Sequence, residues 1–285
     1  MYERRASPLH AARASVGLAW SLVLVSAALA FEHPLVLAAL AAVAIGGALA
    51  AGVAASVARV MRFALPFALL IAVVNPLVVR DGLTVVFRVG EVPPFGEIDI
   101  TLESLAYGAV LGLRALVVFL AAALLTATVD PDEVLRLFRR ISFRSALTAA
   151  LAVRLVPVLQ RDGRRLNEAR RCRAGDPPSR VAVLRTVATG ALDRAADVAA
   201  TLEVRGYRSG VRARAVHRPW SRHDVAFAAS ALAVAVLSVG AHVAGVGALD
   251  PYPAFEMELG AVEWAWSAAL VAVALLPFAD RRGIA

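Results

Sequence analysis

Residues 103–127, ESLAYGAVLGLRALVVFLAAALLTA, hold one acid at the start and one base, Arg114, near the middle. Everything else in the stretch is apolar, small or hydroxyl-bearing. A helix needs about 20 such residues to cross the hydrocarbon core of a bilayer. There it must satisfy its own backbone polar groups, because no water is available. Working outward, comparable runs occupy 14–31, 34–57, 63–79, 224–246 and 262–279. A basic turn, Arg59-Val-Met-Arg62, is expected to join the second and third runs. The whole chain agrees with this reading: 60% of its 285 residues are hydrophobic and only 18% charged, and the mean hydropathy is +0.70. A soluble domain has roughly 45–50% apolar and about 25% charged residues. The expected fold is an all-α integral membrane protein with about six transmembrane helices and three cytoplasmic or interfacial helices. The N-terminal run is read as a retained first span rather than a signal peptide.

The net charge is +8, and all 30 basic residues are arginine. Twenty of them lie in 130–222, against nine acids. They sit between apolar runs, which points to a membrane face rather than to nucleic acid. Arg4, Arg5 and Arg13 precede the first run, Arg59 and Arg62 follow the second, and Arg281 and Arg282 follow the sixth. Alternating the spans puts all of these and the 130–222 block on one side. By the positive-inside rule that side is the cytoplasm of a cell-membrane protein, with both termini inside. Only Arg80 and Arg88 break the pattern. Three regions follow: an N-terminal membrane domain, 1–128; a cytoplasmic region, 129–222; and a C-terminal membrane segment, 223–285. In the outer loop, 80–100 has the β-branched content and flanking glycines of a short hairpin.

Several classes of chemistry find little support. One cysteine, Cys172, rules out an internal disulfide and a cysteine-based zinc site. The five histidines are scattered, so no metal site and no cofactor are expected. A P-loop pattern is absent, which excludes an ATPase of its own. A membrane-embedded enzyme would need convergent acid–base or metal groups. A secondary transporter would show inverted repeats and intramembrane ionisable groups. These two remain the alternative readings.

The basic block carries the more specific signals. Asp130-Pro131-Asp132-Glu133 is a helix start, with Asp130 as cap, proline in first position and Glu133 placed for a capping box. It should open a short amphipathic surface helix. A second helix is expected from about 145 to 173, apolar first and polar later, bent at Pro157 and weakened at Gly163. A third, about 180–205, carries Val181, Leu184, Ala188, Ala191, Ala195, Val198 and Leu202 as a stripe of period near 3.5. The second helix is its obvious partner. Both helices end in Glu, then Arg, then a glycine suited to a left-handed helix end. An arginine there suits the helix dipole. Alternatively, it projects to pair with a partner's carboxylates, which its planar fork binds bidentately.

These residues resemble the transmembrane T component of energy-coupling factor (ECF) transporters, a family that includes the cobalt-permease Q subunits. The similarity runs from about 34 to 222. It rests on Asn75-Pro76-Leu77, PPFGEIDITLESLAYG (93–108), the Asp130 helix start, Arg154-Leu-Val-Pro157 and, most specifically, RAADVAATLEVRGY (194–207). The resemblance implies two Ala-Arg-Gly helix tips that dock into two ABC-type ATPase subunits, which drive a separate small substrate-binding membrane protein. Here the second tip reads Val204-Arg205-Gly206, and the first aligns as Cys172-Arg173-Ala174, with Gly175 one position late. The implied coupling residues are therefore Arg173, Ala174, Gly175, Val204, Arg205 and Gly206. Arg114, Arg154 and Pro157 are candidates for docking the substrate subunit. The implied cargo is a vitamin or a transition-metal ion.

Overall fold

Proline and glycine punctuate the chain where the helices begin and end. In the computed structural model, residues 5–79, 83–92, 96–138, 143–172, 179–204, 206, 219–247, 249–250, 256–257, 260–280 and 282 are described. A first turn, α1 (Pro8–Ala11), is capped by Ser7 and leads to α2 (Ala14–Ala30) and α3 (Pro34–Ala50). α4 covers Ala54–Val78. Strands β1 (Val85–Val92) and β2 (Gly96–Thr101) then pair antiparallel, as the glycines and β-branched residues predict. α5 covers Leu102–Thr128, with its first turn capped by the Thr101 hydroxyl, which accepts the Ser104 N–H at 3.2 Å.

α6 (Pro131–Phe138), α7 (Phe143–Cys172) and α8 (Arg180–Val204) follow. α9 (Arg222–Val243) begins with a full capping box between Ser221 and Asp224. A short pair of strands, β3 (Leu249–Asp250) and β4 (Glu256–Met257), precedes α10 (Ala261–Leu275), which ends in a 3-10 turn over Leu276–Ala279. The described residues are overwhelmingly helical. Four helices, α4, α5, α9 and α10 with its final turn, are long and apolar enough to cross a membrane; α2 and α3 are shorter apolar helices. The chain is a multi-pass membrane protein.

The second and third spans divide earlier than expected. The basic turn at Arg59–Arg62 does not exist, because α4 starts at Ala54 and carries both arginines within its first turns. The break falls at Gly52, whose φ of +70° a side chain would resist. Its N–H donates to Leu49 O, and Val53 N–H donates to Ala48 O, so the orphan carbonyls of α3 are satisfied in a Schellman motif. Arginine, a good helix former, gives no comparable reason to stop.

The chain divides into two units, Met1–Val134 with Trp220–Ala285, and Leu135–Pro219. In the first, all the membrane helices pack together. Trp20, Phe227 and Phe278 meet edge to face at centroid separations of 5.0 to 5.8 Å. The Trp20 indole donates to the Ser230 hydroxyl at 3.2 Å, which donates to Val273 O at 2.9 Å, so α2, α9 and α10 are joined in series. Between membrane helices the gain comes from such packing and hydrogen bonding, about 0.6 kcal/mol for an average side-chain bond.

Helix ends gather as alternation requires. At one end, Arg5 donates to Gly52 O, and Arg13 pairs with the buried Asp224 at 3.3 Å. Two carboxylates cap the start of α2: Asp224 accepts the Arg13 N–H at 2.7 Å, and Glu133 accepts the Ala14 N–H at 3.3 Å. Glu133 thus serves α2, and the Asp130 carboxylate caps α6, accepting the Asp132 N–H at 2.9 Å. Arg222 reaches Asp280 at 3.5 Å. The Asp280 carboxyl is held below its usual range, first by the Arg282 N–H and, among the nearby charges, by Arg222. At the opposite end, Phe31 packs on His242 and Trp266.

Candidate coupling site

Unit two is built from α7 and α8, which lie antiparallel. Leu151, Arg154, Leu155 and Val158 of early α7 face Ala195, Val198, Ala199 and Leu202 of late α8 across an apolar groove of about 360 Å³. Further along, Gly163, Asn167, Arg170 and Arg171 of α7 share a polar pocket of about 300 Å³ with Arg180 and Val183 of α8. Between groove and pocket, Arg194 pairs with Asp162 at 3.0 Å. At 1.5 Å per residue, the 30 residues of α7 extend about 45 Å. Hydrophobic matching therefore acts at one end of the hairpin and cationic chemistry at the other.

The α8 stripe is only partly where its period puts it. Ala191, Val198 and Leu202 are half-buried, but Val181 and Leu184 are exposed, at 74% and 68%. Val183 and Val187 are half-buried in their place. Two apolar stripes run side by side along α8, and periodicity alone cannot say which of them α7 covers.

At the second tip, α8 ends at Val204, fully projecting into solvent, and Gly206 takes φ +75° with its N–H donating to Glu203 O at 2.9 Å. The left-handed glycine end is as expected. Arg205 lies outside the described residues, as do Arg173, Ala174 and Gly175 of the first tip. α7 reaches Cys172, which is exposed. Arg154 stands on the wall of the apolar groove, and Pro157 is exposed one turn on, inside an unbroken α7. Arg161 donates to the Pro157 carbonyl at 3.3 Å.

Arg114 belongs to the membrane unit. Its guanidinium donates to Phe31 O and to Glu32 Oε1, both at 3.0 Å. Because α2 and α3 are only 17 residues each, about 25 Å, their connecting turn meets α5 at its middle. The charge sits level with that turn and its acid. Among the described residues, no group of three metal-ligating side chains assembles.

A family model described as cobalt transport protein matches residues 5–217. The chain belongs to the cobalt transport protein family. The energy-coupling factor transporter transmembrane protein EcfT of Thermosediminibacter oceani is 28% identical over 160 residues, covering 48% of this chain and 60% of that relative. The chain thus spans about three fifths of the length of the curated relative it matches. The family match includes α1 to α8 and stops before α9, although α9 and α10 belong to the same packed unit as α2 to α5.

Within the matched region, the tightest helix contact went unread in the sequence. A Cβ on Gly108 would lie 2.6 Å from Ala72 O, and one on Gly112 would lie 2.6 Å from Ala68 O. Gly108-Ala-Val-Leu-Gly112 is a GxxxG pattern on α5, crossing small residues of α4 at the same spacing. Asn75 of the family-like Asn75-Pro76-Leu77 donates to Ser104 O at 3.3 Å and packs beside Gly108. The glycines were legible as a motif; their partner on α4 was not.

Proposed function

We propose that this chain is the transmembrane coupling subunit of an ECF-type importer. It takes up a transition-metal ion or a vitamin and has no catalytic chemistry of its own. It links two ABC-type ATPases to a small substrate-binding membrane protein. The observation that carries this reading is the antiparallel α7–α8 hairpin, whose last described residues, Cys172 and Val204, are exposed and which lies within the family match. A glycine-ended helix lets the Arg205 guanidinium reach beyond the last turn toward a partner's carboxylate. Arg173, one residue past α7, has the same opportunity. The arginine asymmetry supports a cytoplasmic placement of both termini and of the hairpin in the cell membrane. The lone thiol Cys172 should therefore react with an impermeant maleimide in inverted vesicles and stay unlabelled in intact cells.

Charge reversal tests the coupling. One tip lost should weaken uptake, and Arg173→Glu with Arg205→Glu should abolish ATPase co-purification and ATP-driven uptake while the membrane unit stays folded. Truncating one partner of a buried interfacial charge pair costs about 2–5 kcal/mol, so Arg205→Glu alone should already reduce assembly strongly. It should exceed Arg173→Glu, because Gly206 preserves the tip whereas Ala174 replaces a glycine. A double variant that assembles and transports normally would show that the tips are only helix ends.

A further inference from the structure

We infer that the β1 edge of the β1–β2 hairpin is a lipid-binding surface, with Leu83, Val85, Val86 and Phe87 immersed in the head-group region of the bilayer beside the start of α5. The run Leu83-Thr-Val-Val-Phe87 carries no charge. A strand that packs on a core hides every second side chain. Here Val85, Val86 and Phe87 are all exposed, the last two at 59% and 62%, and Leu83 is exposed as well. The register passes from Val85–Thr101 to Phe87–Ile100, so Val86 is the extra residue of a bulge. An exposed, uncharged, apolar edge strand invites aggregation in water unless something covers it.

Position decides what covers it. Leu102 N–H donates to Thr84 O at 2.9 Å, and Thr84 N–H donates to the buried Glu103 carboxylate at 3.2 Å. Thr84 is thus tied to the first turn of α5, a helix long and apolar enough to cross a membrane. At about 3.3 Å per residue, Phe87 lies within about 10 Å of that turn. Leu77 and Val78 at the end of α4, and Leu102 and Leu105 at the start of α5, are exposed at the same level. The apolar surface of the two spans therefore continues onto β1. Immersion covers every side of a strand at once, whereas a protein partner seats on one face. The depth is the interface and not the hydrocarbon, because β1 pairs with β2 alone in its sheet and its free edge needs water or head groups as partners. Arg80 and Arg88 flank the run in the sequence. They are the two bases that depart from the arginine asymmetry, and arginine beside an interfacial run suits head-group phosphates.

Fluorescence quenching by depth tests the placement. The full chain with Cys172→Ala is placed in phosphatidylcholine liposomes and carries a nitrobenzoxadiazole label at Val86→Cys, at Phe87→Cys or, as a mid-span reference, at Leu232→Cys. All three native side chains are more than half exposed, so labelling leaves the core intact. Apolar faces at an interface sit about 5–10 Å into the boundary of head groups and chains. Lipid with a nitroxide high on the acyl chain should therefore quench the labels at 86 and 87 more than lipid with a nitroxide near the chain end. The label at 232 should show the reverse order. Aqueous iodide should quench both hairpin labels far less than it quenches the free dye. Iodide quenching of both labels equal to that of the free dye would overturn the proposal and leave the strand open for a protein partner. Shielding at 87 without shielding at 86 would overturn it as well, since a one-sided cover is not immersion. So would stronger quenching of the hairpin labels from the chain end, which would place β1 in hydrocarbon.

Discussion

At Gly108 and Gly112 the distance to the facing carbonyls of α4 leaves no space for even one methyl group. The neighbouring atoms are backbone and cannot rotate away. Gly112→Ala should push α4 off α5 and cost about 1–3 kcal/mol, seen as a lower melting temperature in detergent. Gly163 and Gly190 form the contrast: both sit inside helices with open space where a Cβ would go. Alanine at either should raise helix stability by roughly 0.5–1 kcal/mol. A substitution that is harmful in α5 and helpful in α7 and α8 would establish that close approach, and not glycine as such, matters. Arg114→Leu deprives Phe31 O and Glu32 of their donor and should cost about 1–3 kcal/mol. Glu32→Gln should cost less, because the Phe31 carbonyl keeps its bond and Glu32 is partly exposed. Thermal melts of both variants check the order, and the reverse order would make Glu32 the dominant member.

Among the described residues, Asp162 of α7 and Arg194 of α8 form an ion pair whose members are both partly exposed. Asp162 and Arg194 should therefore couple weakly, about 0.2–1 kcal/mol in a double-mutant cycle read by hydrogen exchange along the hairpin. A larger coupling would mean that the pair, and not the apolar contact, holds the hairpin together. The elements also show what could be read from the chain. Pro131 and Gly206 act locally, so their helix start and left-handed end follow from residue type and immediate neighbours, whereas α7 runs unbroken through Pro157. The end of α3 was missed because charge at Arg59 and Arg62 looked like a boundary, whereas Gly52 held the backbone signal. The stripe on α8 was half misplaced because two apolar rows of nearly equal strength run along it. The GxxxG pattern on α5 was visible, but only packing reveals Ala68 and Ala72 opposite. Arg114 was legible as an intramembrane charge needing a partner; Glu32 depends on the shortness of α2 and α3.

For the whole molecule, the decisive question is the status of α9 and α10, which lie beyond the family match. Three links make them part of the scaffold. Asp224, fully buried, accepts from the backbone N–H groups of Arg13 and Ser221 while pairing with the Arg13 guanidinium. The Arg13 guanidinium also lies over Trp220 at 5.4 Å. Phe227 and Phe278 enclose Trp20, and Val234, Leu270 and Ala274 are buried in the same core. The start of α2 thus depends on a carboxylate some 211 residues away. Removing one member of a buried, hydrogen-bonded ion pair costs about 3–5 kcal/mol, and Asp224→Ala should approach that in thermal melts. A chain ending at Pro219 should lose more, because it uncovers Trp20 and the α2 face together. It retains every residue of the family match, so it separates two possibilities. If α9 and α10 are structural, the shortened chain should aggregate on detergent extraction, and supplying 220–285 as a separate polypeptide in the same membrane should restore a monodisperse species. If the shortened chain extracts as a stable monodisperse protein with an unchanged melting temperature, α2 to α5 form a sufficient scaffold, and the contacts of Asp224 and Phe227 add nothing to it.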